Sequence, residues 1–220
     1  MSWQNGWLRM RLLLASSVTA IGLLLVLLTP TLANAAPAHV TKPDASLTAS
    51  WWQQFVGITD PNTFIGCDVG TGKIVFLTGI SATVSTDDRS CTTDKAKTFL
   101  VPLINVECST VEGNGKTFAE LARCAKDFAD DFTDLKLEID GEPIGNLNKL
   151  RVQAESTFTP VPNNVLIPNI SRPTNSKFAA DGYWALIKLT PGEHTLTFGG
   201  TFAGTPPFTT EVTYHLTVKK

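Results

Sequence analysis

The chain has 220 residues, of which 43% are hydrophobic and 17% charged, with 16 Gly, 13 Pro and 4 Cys. The low charge and the richness in turn formers exclude a coiled coil, a helical bundle and a disordered chain, and leave a β-rich globule with enough residues for a real core. Eighteen basic side chains against twenty acidic ones give a net charge of −2, which argues against nucleic acid as a partner.

Residues 1–35 have the three parts of a secretory signal. Arg9 and Arg11 form the positive end, Leu12 to Leu28 the apolar stretch, and Ala33-Asn34-Ala35 the small-x-small cleavage site. The mature chain is therefore expected to begin at Ala36, outside the cytoplasm, with 16 basic and 20 acidic side chains. The alternative is an uncleaved anchor, although the apolar stretch falls short of the roughly 20 residues that span a bilayer. The membrane is a partner only in that case. Residues 36–49 are small, polar and proline-bearing, which predicts a flexible N-terminal segment, with one ordered domain over 50–220.

Trp51, Trp52, Phe55 and Val56 fall at i, i+1, i+4 and i+5 and predict a short N-terminal helix ended by Asp60-Pro61-Asn62, with a loop running on to Cys67. Ile74 to Leu77 and Phe99 to Ile104 read as buried strands. Pro102 removes a ladder donor and places the second at an edge or a bulge. After the turn cluster Glu112-Gly113-Asn114-Gly115, Thr117 and Glu120 form a capping box. Phe118, Leu121, Ala125, Phe128 and Phe132 then continue at helical spacing, which predicts an amphipathic helix over about 117–133 with Phe128 in its buried face.

The remaining chain alternates as β-strands do. Leu135, Leu137 and Ile139 lead to an Asp140-Gly141 turn, and Leu150, Val152 and Ala154 form another half-buried strand. Residues 157–182 read as a long surface loop. Tyr183 to Leu189, the turn Pro191-Gly192 and His194 to Phe198 read as a hairpin. In the last strand Phe208, Val212, Tyr214, Leu216 and Val218 share the core-facing parity. The pattern predicts a mainly β fold, a β-sandwich of Ig-like or jelly-roll-like type with one inserted amphipathic helix.

Cys67, Cys91, Cys108 and Cys124 are an even set without a Cys-x-x-Cys or a zinc spacing, so in an exported chain they read as two disulfides. Of three possible connectivities, Cys67–Cys91 and Cys108–Cys124 are expected because each pair brackets one compact unit. Catalytic templates fail at named residues. Gly66 to Lys73 resembles a phosphate loop but has one residue too many, Ile74 where Ser or Thr is needed, and a strand to follow. Asp127, Asp130, Asp131 and Asp134 match a solvated helix face better than a calcium loop. His194 is expected to be hydrogen-bonded at the core rim and His215 to be solvated, with no nucleophile elbow near either. Glu107 and Asp68 offer a carboxylate pair that nothing in the sequence selects. Trp51, Trp52 and Trp184 suggest a stacking platform, against the simpler reading that at least two of them are core.

Trp51-Trp52-Gln53, Cys67, Gly72 to Leu77, Arg89-Ser90-Cys91, Lys97-Thr98-Phe99, Pro102 to Cys108, Asp181 to Trp184 and Pro191-Gly192-Glu193-His194 together resemble a family of uncharacterised exported bacterial proteins. Lys73 departs from it, where a smaller residue or proline is expected. The resemblance implies one disulfide-stapled domain and no activity. The expectation is an exported, non-catalytic binding or surface module without catalytic, cofactor-binding or metal residues and without a cofactor, its unknown extracellular ligand being a carbohydrate or a protein. An extracellular hydrolase acting on a glycan or ester is the alternative.

Overall fold

A computed structural model describes residues 38–80, 86–93, 98–167 and 169–220. The expected signal peptide lies outside the described residues. The described chain belongs to one compact unit, Ala35–Lys220, and forms two sheets packed face to face.

The strands are β1 (His39–Thr41), β2 (Gly70–Thr71), β3 (Ile74–Phe76), β4 (Thr86–Thr93), β5 (Thr98–Ser109), β6 (Phe132–Ile139), β7 (Glu142–Pro143), β8 (Arg151–Phe158), β9 (Ser176–Lys188), β10 (Gly192–Phe202) and β11 (Phe208–Val218). The helices are α1 (Ala45–Phe55), α2 (Pro61–Ile65) and α3 (Phe118–Ala129). One sheet runs β1-β9-β5-β3-β2, with β8 also paired to β9; the other runs β4-β11-β10-β6-β7. Both sheets are mixed, since β3 runs parallel to β5 and β4 parallel to β11.

Alternation along β9 divides its side chains between two cores. Tyr183, Ala185 and Ile187 join Leu196, Phe198 and Tyr214 between the sheets, while Phe178, Ala180 and Trp184 face the outer layer that holds Trp51, Phe55 and Phe64. α3 extends the inner layer. Its buried column is Leu121, Ala125 and Ala129, set on Cys108 and Ala179 of β5 and β9. The Thr117–Glu120 capping box satisfies its first turn.

Six sequence expectations need correction. The helix expected over about 117–133 ends at Ala129, and Phe132 is the first residue of β6. The segment 36–49 is not wholly flexible: β1 pairs with β9, and Asp44 caps α1 by accepting from the Leu47 N–H at 2.8 Å, so order begins well before residue 50. The loop before Cys67 is instead α2, capped by Asp60 with Pro61 in its first turn. Residues 176–182 are not surface loop but the buried first half of β9, where alanines replace the bulky residues that signal a strand. β9 and β10 are not a hairpin, because the Pro191-Gly192 turn carries the chain from one sheet to the other. Phe128 is 46% exposed, since α3 centres its buried column on Ala125 and leaves Phe128 beside the Phe202 ring at 5.8 Å.

Pro102 sits at a register shift in β5, between its pairing with Trp184 and that of Ile104 with Tyr183. Beyond that bulge β5 has β9 on one side and no described strand on the other.

Candidate functional site

The four cysteines form the expected pairs, with Cα separations of 5.8 Å for Cys67–Cys91 and 6.1 Å for Cys108–Cys124. The first joins the end of α2 to β4 across the two sheets; the second ties α3 to β5. Two disulfides suit an oxidising compartment. No helix among the described residues is long and apolar enough to cross a membrane.

The three tryptophans do not form a stacking platform. Trp51, Trp52 and Trp184 are 2%, 7% and 0% exposed, packed edge to face, with Trp51 Nε1 donating to the Leu77 carbonyl at 2.7 Å. Trp52 Nε1 is buried without a hydrogen-bond partner among the described residues. The indoles are core, and only edges of Trp51 and Trp52 reach a cavity.

That cavity, about 340 Å³, lies where the outer layer meets the free side of β5. Trp51, Trp52, Phe64, Ile80, Val165 and Leu166 are its apolar lining, and Gly79, Asp87, Arg89 and Asn105 its polar lining. Asn105 is placed by close backbone contact. Its partner across the ladder is Gly182, φ +154°, where a Cβ would stand 2.5 Å from the Asn105 Cα. The Asn105 side chain is half-buried and makes no hydrogen bond to a described residue, and Asn105 is one of the residues that line the cavity.

Arg89 is the most heavily engaged side chain of this region. Its Nε donates to Asp87 Oδ2 at 2.7 Å, its Nη1 to the Thr78 carbonyl, Thr78 Oγ1 and Tyr214 Oη at 2.8 to 2.9 Å, and its Nη2 to the Gly79 carbonyl at 3.1 Å. Arg89 and Tyr214 are register partners on β4 and β11, while Thr78 follows β3, so this one guanidinium bridges the two sheets. Its charge is matched by Asp87, which leaves the cavity electrically neutral. Sequence reasoning missed the cluster because β4, Thr-Asp-Asp-Arg-Ser-Cys-Thr-Thr, has no apolar alternation. The one signal available was that Arg89 shares parity with Cys91.

The other candidates lie elsewhere. His194 is buried at the core rim as expected, with Nδ1 at 2.8 Å from Asp140 Oδ2 and Nε2 at 2.9 Å from the Thr190 carbonyl, so neither ring nitrogen is left to serve a nucleophile. His215 is exposed and pairs with Asp88. Asp130 binds Lys126 and Arg151, and no group of three or more metal-binding side chains occurs among the described residues. Gly66 ends α2, and Gly72, φ +58°, makes the turn between β2 and β3. Glu107 does not take Asp68 as its carboxyl neighbour; it faces Glu112, and Asp68 is exposed after α2.

No family model matches the chain, and neither a curated protein nor a solved structure does.

Proposed function

We propose that the protein is an exported, non-catalytic binding module that holds its ligand in the cavity between α1, α2, β4 and β5. The observation that carries this reading is a cavity that sets apolar side chains beside the neutralised Asp87–Arg89 pair and an Asn105 side chain bonded to no described residue, and whose size suits a small ligand or one side chain. A carbohydrate or a protein segment provides the matching hydrogen-bond groups.

Hydrolysis of a glycan is less well supported. It calls for two carboxyl groups across the scissile bond, and the one carboxylate that lines the cavity among the described residues, Asp87, is tied to Arg89. The test is a ligand-observed NMR screen of the mature protein, together with turnover assays on glycan and ester substrates. Saturable binding that perturbs the Asn105 side chain, without turnover, is expected. Turnover abolished by Asp87→Asn would establish the hydrolase instead.

A further inference from the structure

Ser109 shows which way the main chain of β5 faces. Its N–H donates to Asn114 Oδ1 at 2.9 Å and its carbonyl accepts from the Asn114 N–H at 3.1 Å, so both groups point away from β9. In an antiparallel pair, alternate residues direct both main-chain groups to the same side. The β5–β9 register runs without a shift from Ile104↔Tyr183 to Ser109↔Phe178, so Glu107 and Asn105 also present their N–H and C=O away from β9. No described strand takes them: β3 pairs only with Thr98 to Leu100, after which the Leu77 N–H reaches the Leu100 carbonyl and the chain departs past Gly79.

Two observations therefore coincide at one place. The free ladder groups of Asn105 and Glu107 form a short open edge, and the cavity opens beside it, with Asn105 belonging to both. An open edge alone is common, and Pro102 with its bulge partly guards this one. A partly apolar cavity beside an open edge is what strand addition uses: main-chain hydrogen bonds hold the incoming strand, and pockets take its alternate side chains. Arg89, neutralised by Asp87 and committed to Thr78, Gly79 and Tyr214, has no charge to offer an anion, and Ile80, Val165 and Leu166 offer none.

We infer that the ligand is an extended peptide segment that adds as a short strand to the Asn105–Glu107 edge and places one uncharged apolar side chain in the cavity, its backbone amide read by the Asn105 carboxamide. This rests on the binding reading above and names its partner class.

The test uses the mature protein, labelled with ¹⁵N, and the blocked peptide acetyl-Thr-Leu-Thr-Leu-Thr-amide. Three companions are the same peptide N-methylated at alternate amides, one with Glu in place of each Leu, and a set of neutral mono- and disaccharides. The expected result is saturable shifts of the Asn105, Glu107 and Ile80 amides, with affinity reduced roughly tenfold or more by N-methylation and by the Glu peptide. Leu166→Trp, which fills the cavity from a partly exposed wall position, should weaken the peptide to a similar degree. Equal binding of the N-methylated peptide, or peptide-induced shifts that leave the Asn105, Glu107 and Ile80 amides unmoved, would overturn the inference. Saccharides that shift the cavity signals while the peptides do not would overturn it and leave the binding module standing. Silence from peptides, saccharides and a general fragment library alike would remove both.

Discussion

Glu107 and Glu112 turn their carboxyl groups toward one another, Glu107 from the outer face of β5 and Glu112 from the turn that follows it, where Glu112 also accepts from Ser109 Oγ at 2.8 Å. Glu107 Oε2 is buried without a hydrogen-bond partner among the described residues. Burial first, and then the neighbouring Glu112 carboxyl, hold the Glu107 carboxyl well above the usual carboxylate range. The folded state thus keeps a proton that the unfolded chain releases near pH 4.5. The stability this contributes is fully present below that value and declines as pH rises toward the folded pKa. Thermal melts from pH 4 to 9 should show this decline, and Glu107→Gln should flatten it and raise the Tm at pH 8 by a few degrees, at roughly 2 to 4 °C per kcal/mol. Parallel curves for the two proteins would mean that the pair shares no proton.

The same turn leads into α3, where packing separates two residues that the sequence treats alike. Leu121 is fully buried against β5 and β9, and Leu121→Ala should cost about 2 to 5 kcal/mol. Phe128→Ala removes a half-exposed ring that meets Phe202, and should cost only about 1 to 2 kcal/mol. Replacing Cys108 and Cys124 together by Ser opens a loop of 16 residues' separation and should cost about 3 kcal/mol. Urea titration of the three variants checks the order.

Much of this fold was legible because its local signals agree with one another. The Thr117–Glu120 box, the Asp140-Gly141 turn and the alternation of β11 each specify an element from a few neighbouring residues. What was not legible depends on distant partners. Ala179 and Gly182 look like loop residues, and they lie in a strand where α3 packs on Ala179 and β5 leaves no room for a Cβ at Gly182. The Pro191-Gly192 turn looks like a hairpin, and only the pairings of β9 with β5 and of β10 with β11 send its two arms into different sheets. The cavity was least legible of all, since its polar residues come from β4 and β5 and its walls from the segment after β8, elements that no local pattern relates.

At the N-terminus of α1, Asp44 accepts from both Ser46 Oγ and the Leu47 N–H, which lowers its pKa below the usual carboxylate value. The stabilisation is present above about pH 3.8, the unfolded value, and is lost as pH falls through the lower folded one. Asp44→Ala should cost about 1 kcal/mol at neutral pH, and Asp44→Ser should restore most of it. Chemical denaturation at pH 7 measures both.

If the chain is cleaved after Ala35 as the sequence leads us to expect, the product starts at Ala36 and contains no methionine, because Met1 and Met10 both precede that position. Intact-mass measurement of protein recovered from outside the cytoplasm should match residues 36–220 with two disulfides. A mass that retains Leu12 to Leu28 would show the anchored form.

Arg89 should be the most sensitive polar residue of the domain. Its side chain is 4% exposed, and it serves Asp87, Thr78, Gly79 and Tyr214 at once. Truncating it to Met leaves the Thr78 and Gly79 carbonyls and the Tyr214 hydroxyl without this donor in a region where water replaces it poorly, so Arg89→Met should cost about 3 to 5 kcal/mol. Arg89→Lys should recover less than half of that, because an ammonium does not reproduce the planar fork that reaches β3, β4 and β11 together. Tyr214→Phe removes one arm of the network and should cost about 1 to 2 kcal/mol. If the guanidinium and the hydroxyl act as a unit, the double variant should be less destabilised than the sum of the two, by about 1 kcal/mol or more. Simple additivity in a urea-denaturation cycle would show instead that Arg89 holds β3 and β4 through Asp87 and the carbonyls alone, with Tyr214 contributing only its ring to the core.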